Sequence, residues 1–181
     1  MSFETNGATD YSVGSDEHDT PMSLFAPISE IVGGFDLDPC ASETSELASR
    51  NIEKEEDGLS VRWSGDVWLN PPYSEVSEWL QYARSEYEHG SVTNIVALVY
   101  ARTSTKWFHN HVTTAELICF IEGRLTFGEG EYNAPAPNIL AVWGPAAENH
   151  RLVEHLADLG LLCRPEFGSY TTQKILWGIQ E

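Results

Sequence analysis

Asn70-Pro71-Pro72-Tyr73 is the stretch of this sequence whose residue types and spacing point most directly to chemistry. Two consecutive prolines fix φ and remove two backbone donors. The Asn side-chain oxygen and the Pro71 carbonyl then act as two outward acceptors with no competing N–H beside them. Two such acceptors suit an amino group that donates two hydrogen bonds. Tyr73 adds a ring on which a flat heterocycle can stack. The tetrapeptide therefore fits a planar substrate that carries an amine, adenine being one. A plain strand-to-helix turn would be the bland alternative. It loses weight because an apolar strand, Asp66-Val-Trp-Leu69, runs into the tetrapeptide and a helical pattern leaves it.

The elements that must position such a loop are legible as alternating strands and helices. Thr20-Pro21 opens a helix, with Thr20 as its N-cap and Pro21 in its first turn, running through Leu24, Phe25, Ile28, Ile31 and Val32 to Gly33-Gly34. Phe35 to Ala41 reads as a short strand that ends at Asp38-Pro39, and Thr44 to Arg50 has weak helical character. Asp57-Gly58 marks a turn. Val76, Trp79, Leu80 and Ala83 share one face of a helix with Ser74 or Glu75 near its cap. Asn94 to Tyr100, Glu116 to Ile121 and Asn138 to Trp143 are apolar runs of strand length. Lys106 to Val112 reads as a short helix, and Gly123 to Phe127 as extended chain. Glu148 to Gly160 reads as an amphipathic helix, and Tyr170 to Ile179 as a last strand. The expected fold is α/β: a mainly parallel central sheet with helices on both faces. In such a sheet chemistry gathers beyond the carboxyl ends of the strands, where Asp38-Pro39-Cys40-Ala41 and Asn70 to Tyr73 fall.

Composition bounds the function classes. The 181 residues suit one domain that buries its own core. Met1 to Asp19, with five acids and no Lys or Arg, reads as a disordered leader before a single domain over 20–181. Ten Lys and Arg face 28 Asp and Glu, a formal net charge of -18, and only three of the ten bases are lysines. That balance repels nucleic acid and anionic membranes in dilute salt. It is the charge habit of a salt-adapted protein from a halophilic source. Cys40, Cys119 and Cys163 form no C-x-x-C pair and are expected as buried thiols, without a disulfide framework or a zinc site. His109 and His111 fall on different helix faces, which argues against a metal. No apolar run has the length of a membrane span, and no signal peptide is evident, so a cytoplasmic protein is expected.

Taken together, these motifs resemble one family. The order Thr20-Pro21, Leu37-Asp38-Pro39-Cys40-Ala41, Asp57-Gly58-Leu59, Trp63, Gly65, Asn70 to Tyr73 and Trp79 is similar to that of phage-type DNA N-6-adenine methyltransferases. Ala101-Arg102-Thr103, Trp107-Phe108 and Gly123-Arg124-Leu125 to Phe127 continue the likeness, which runs from Thr20 to Trp143. N-P-P-Y alone is shared with RNA and protein-glutamine methyltransferases; the ordered string is far more specific. The resemblance implies a Rossmann-like class I methyltransferase fold, S-adenosylmethionine as cofactor and DNA as substrate. It implies that Asn70, Pro71, Pro72 and Tyr73 are catalytic, and that Thr20, Pro21, Asp38, Pro39, Cys40, Ala41, Asp57 and Asn70 form the cofactor pocket. Asp57 either bonds the cofactor's adenine or simply makes an Asp-Gly turn. Glu53, Glu55 and Glu56 compete as the ribose ligand. Tyr73, Arg102 and Arg124 fall on the DNA side, with a structural salt bridge as the alternative for each arginine. No glycine-rich loop follows the first strand. Trp107 and Phe108 read as core. A methyltransferase of RNA adenine or protein glutamine, and an idle nucleic-acid-binding module of the same fold, remain the competing readings.

Overall fold

A computed structural model describes residues 19–127 and 132–165. The expected leader up to His18 and the strand expected at Tyr170 to Ile179 lie outside them. Among the described residues seven strands form one sheet: β1 (Leu37–Asp38), β2 (Arg50–Asn51), β3 (Gly65–Leu69), β4 (Val92–Tyr100), β5 (Leu117–Ile121), β8 (Asn138–Trp143) and β9 (Gly160–Cys163). Their order across it is β2-β1-β3-β4-β8-β5-β9. The short strands β6 (Thr126–Phe127) and β7 (Tyr132–Asn133) form a separate antiparallel pair.

The central strands are buried on both faces, as their unbroken Val, Ile, Leu and Ala runs require. Along β4, Ile95, Ala97 and Val99 enter one core. Val96, Leu98 and Tyr100 enter the other. One face is covered by α2 (Val76–Glu88) and α3 (Lys106–Asn110). The other is covered by α1 (Met22–Val32) and α4 (His150–Leu159). The α2 face is the expected Val76, Trp79, Leu80, Ala83 stripe. Each large apolar side chain, once buried, contributes about 1.5–3 kcal/mol. Trp68 of β3 meets Phe25 of α1 edge-on at 5.0 Å and Phe35 at 5.5 Å, which anchors α1 to the sheet.

The sheet is mixed rather than mainly parallel. β1 pairs parallel with β2 and β3, and β3 with β4. β8 is antiparallel to both β4 and β5, and β9 is antiparallel to β5. No helix lies between β7 and β8 to carry the chain back across the sheet. The chain therefore enters β8 at the edge where β4 ends, and runs the opposite way.

Local expectations change in four places. Pro21, not Thr20, occupies the N-cap position of α1, and no side chain caps it. Pro27 is accommodated inside the helix, which stops at Gly33 with φ 93°. Thr44 to Arg50 forms no helix; its Ser and Thr residues favour turns, and the segment ends in β2. Gly160, expected only to terminate the preceding helix, instead begins strand β9, which runs on to Cys163. Cys119 is buried as expected, but Cys40 is only partly buried and Cys163 is exposed on β9. No described helix is long and apolar enough to cross a membrane.

Candidate active site

β1, β3 and β4 run parallel, so their carboxyl ends share one edge of the sheet. The loops that leave β1 and β3 there are Pro39-Cys40-Ala41 and Asn70 to Tyr73. Between them, the segment after β2 and the first turn of α2 lies a cleft of about 300 Å³. Thr20, Asp38, Pro39, Cys40, Ala41, Asp57 and Asn70 all line it, and so do Gly58, Pro72 and Trp79. Pro21, Pro71, Tyr73, Arg102 and Arg124 do not line it. The wall is acidic: Asp19, Asp38, Glu43, Glu53, Glu55, Asp57 and Glu75 face it against Lys54. Glu56, one of three candidates for a ribose ligand, turns away to pair with Arg50.

Two loops must approach closely to shape this cleft. Gly58 sits where an added Cβ would lie 1.9 Å from the Pro39 carbonyl oxygen, so only glycine fits. Asp57, at φ 59°, accepts from the Leu59 N–H at 3.1 Å and from the Ser60 hydroxyl. Both of its carboxylate oxygens thus serve the turn. The turn is held from behind: Trp63 Nε1 donates to the Gly58 carbonyl at 2.9 Å, and the Trp63 N–H donates to Glu86 at 2.8 Å. Glu86 is 1% exposed and also pairs with Arg62 at 2.9 Å. Sequence reading missed it, although position 86 continues the Val76–Ala83 stripe by one more turn.

Thr20 has a different task from capping. Its Oγ1 accepts from Trp68 Nε1 at 3.1 Å and from Asn70 Nδ2 at 3.2 Å. With the amide nitrogen turned to Thr20, the Asn70 amide oxygen points the other way. The Pro72 carbonyl accepts from the Glu75 N–H at 3.2 Å, so the turn into α2 uses Pro72 and not Pro71. Tyr73 is half-buried. Its ring stacks on Tyr100 at 3.6 Å and 11°, and its hydroxyl accepts from Asn138 Nδ2 at 3.3 Å. Tyr100 and Asn138 had no place in the sequence reading of the site. The Arg102 guanidinium lies 5.5 Å from the Tyr100 ring centre. Arg124 donates to the Ala134 carbonyl at 2.7 Å rather than to an acid. Among the described residues no group of three or more His, Cys, Asp or Glu is arranged to hold a metal ion.

The open α/β sheet, its two helical layers and the loops at its carboxyl edge are compatible with a methyltransferase-like fold. The DNA N-6-adenine-methyltransferase (Dam) family model matches residues 8–152, and the chain belongs to that family. It is 35% identical over 109 residues to a DNA N-6-adenine-methyltransferase of Escherichia phage T1. That alignment covers 59% of this chain and 45% of the phage protein, so the chain spans about half the length of this relative.

Asp38 is the buried carboxylate of the cleft. It is 3% exposed, and burial pushes its carboxyl up to about 6 despite hydrogen bonds from the Cys40 N–H and the Ser45 hydroxyl. A raised value means that the folded state favours the protonated form. Its stabilisation is complete below the ordinary carboxylate value and is lost as pH rises through about 6. Above that range the ionised Asp38 carboxylate is destabilising in its buried site. Asp38→Asn, which cannot ionise, is therefore expected to melt with wild type at pH 4 and above it at pH 8. If the ionised carboxylate receives a cationic ligand, any rise in Tm on adding S-adenosylmethionine to wild type should be larger at pH 7 than at pH 5. In Asp38→Asn that rise should be smaller and flat. Equal shifts in both proteins would remove Asp38 from the pocket.

Proposed function

We propose that the protein transfers a methyl group from S-adenosylmethionine to the 6-amino group of adenine in DNA. What supports this, beyond family membership, is that Asn70 forms part of the cleft wall while Tyr73, three residues on, lies outside it against Tyr100. The loop thus has a cofactor side and a base side. The donor set of the cleft fits the cofactor: a cationic sulfonium compound suits seven acids, one of them a buried carboxylate. Thr20, Asp38, Pro39, Cys40, Ala41 and Asn70 would hold it. When bound, S-adenosylmethionine supplies an electrophilic methyl group on sulfur.

The residues of this chain do the rest. The target amine is out of reach inside a duplex, so the base is flipped out, at a cost of a few kcal/mol. Tyr73 gives the flipped ring a surface. Asn70 Oδ1 and the Pro71 carbonyl accept the two N–H bonds, which turns the nitrogen lone pair out of the ring plane and toward the cleft. The same two acceptors stabilise the positive charge that develops on nitrogen as it attacks. The bond from nitrogen to methyl would form as the bond from methyl to sulfur breaks, leaving a neutral thioether, and the methylated amine would then release one N–H proton to water. Arg102 and Arg124 are assigned to the DNA side, where they add short-range contacts to phosphate or base edges. The test is incubation with methyl-labelled cofactor and unmethylated DNA, RNA or protein extract in parallel. Label in DNA, recovered as N6-methyladenine after digestion, is the expected result. Label confined to RNA or to protein glutamine would overturn the DNA assignment, and label nowhere would overturn the reaction.

A further inference from the structure

Asn138 opens β8, a strand whose other five residues are apolar and buried. It is itself 1% exposed. A buried amide in such a strand is costly unless both of its polar ends are satisfied. Here only one is. Nδ2 donates to the Tyr73 hydroxyl at 3.3 Å, while Oδ1 has no hydrogen-bond partner among the described residues. Exchanging the two amide atoms changes nothing, because one would still meet the phenol and the other would be left. Among the described residues, the hydrogen bond that the Asn138 side chain makes is therefore the one with Tyr73.

The fold explains how the two meet. Asn138 lies directly across from Tyr100 in the antiparallel β4–β8 register. Tyr100 ends β4, so the start of β8 falls at the same sheet edge as the loop that follows β3. Tyr100 backs one face of the Tyr73 ring, and Asn138 holds its hydroxyl. A ring gripped at its face and at its oxygen keeps one plane. A base that stacks on Tyr73 must take the ring face turned away from Tyr100, and its angle to the cleft is then set by that plane.

We propose that Asn138 is a positioning residue for methyl transfer, acting through Tyr73 to orient the target base. The proposal rests on the adenine-methylating reading above. It is tested by a cycle of four proteins: wild type, Asn138→Leu, Tyr73→Phe and the double variant. Leucine keeps the volume and removes the buried unpaired amide, so Tm should hold or rise. Each single variant should lower kcat by about tenfold or more, the scale on which misplacement of reacting groups acts, with cofactor affinity unchanged. The double variant should be no slower than the slower single one, because both remove the same bond. Should Asn138→Leu fail to fold, Asn138→Ala takes its corner. Unchanged kcat in the Asn138 variant, or penalties that multiply in the double variant, would overturn the positioning role while leaving the reaction intact. A wild type that moves no methyl group to DNA would overturn both.

Discussion

Asn70→Ala is expected to abolish methyl transfer, with a loss of at least about a hundredfold in kcat, the scale on which a single group aimed at developing charge acts. The reason is local. Thr20 holds the amide nitrogen, so the amide oxygen is fixed before substrate arrives. In the proposed reaction alanine would delete that acceptor and leave the amine with one N–H unpaired at the moment its lone pair must point at the methyl group. The fold should not suffer. Asn70 is only partly buried, and Thr20 keeps its bond from Trp68. The far-UV spectrum and the cofactor-induced rise in Tm are expected to stay near wild type. Initial rates at saturating DNA and cofactor measure the effect, and turnover at the wild-type rate would sink the assignment.

Activity and stability are both expected to rise from ~0.1 M toward molar KCl, opposite to the usual trend for DNA enzymes. The net charge is -18, and among the described residues four of the ten bases are tied up locally, as Arg50–Glu56, Arg62–Glu86, Arg84–Glu88 and Arg164–Glu148. The acids far outnumber the bases that could neutralise them. In dilute salt this repels both the compact state and the duplex. At 1 M the Debye length falls to about 3 Å, so remote carboxylates cease to act while contacts at hydrogen-bond range survive. Counterion release from DNA offers little to a protein with so few cations. Methylation of one fixed duplex against KCl, with Tm followed in parallel, checks this. A rate that peaks near ~0.1 M and collapses above it would refute salt adaptation.

The parts of the fold legible in the sequence are those where one signal is strong enough to stand alone. The stripe from Val76 to Ala83 and the apolar runs of β4 and β8 needed nothing from elsewhere in the chain. β2 and β9 were not legible, because two residues, or four that begin with a glycine, carry no period. The loop residues of the cleft, Asp38 to Ala41 and Asn70, could be placed from the rule that parallel strands present their carboxyl ends to ligand. That same rule hid Asn138. It stands at the beginning of a strand, and only the reversal of β8 brings that beginning to the working edge. Thr20 was misread for a related reason: Thr-Pro before a helix looks like a cap, and its real partners lie 48 and 50 positions away.

The reversal of β8 also bears on the order in which the molecule assembles. β8 meets β5 by closing the chain between Phe120 and Ile139, but it meets β4 by closing the longer stretch between Tyr100 and Asn138. Loop-closure entropy favours the shorter pairing first, and long-range pairing slows folding. A β5–β8 unit can thus form before it docks on β4. The side chains that grip Tyr73 stand on the two strands joined in that docking step. A chain arrested short of it would hold much of its secondary structure and an N-P-P-Y loop of unaltered sequence, yet have no surface set to receive a base. Competence to act on a substrate then appears only with the closing of the central strand pair, which makes activity a late and stringent reporter of complete folding.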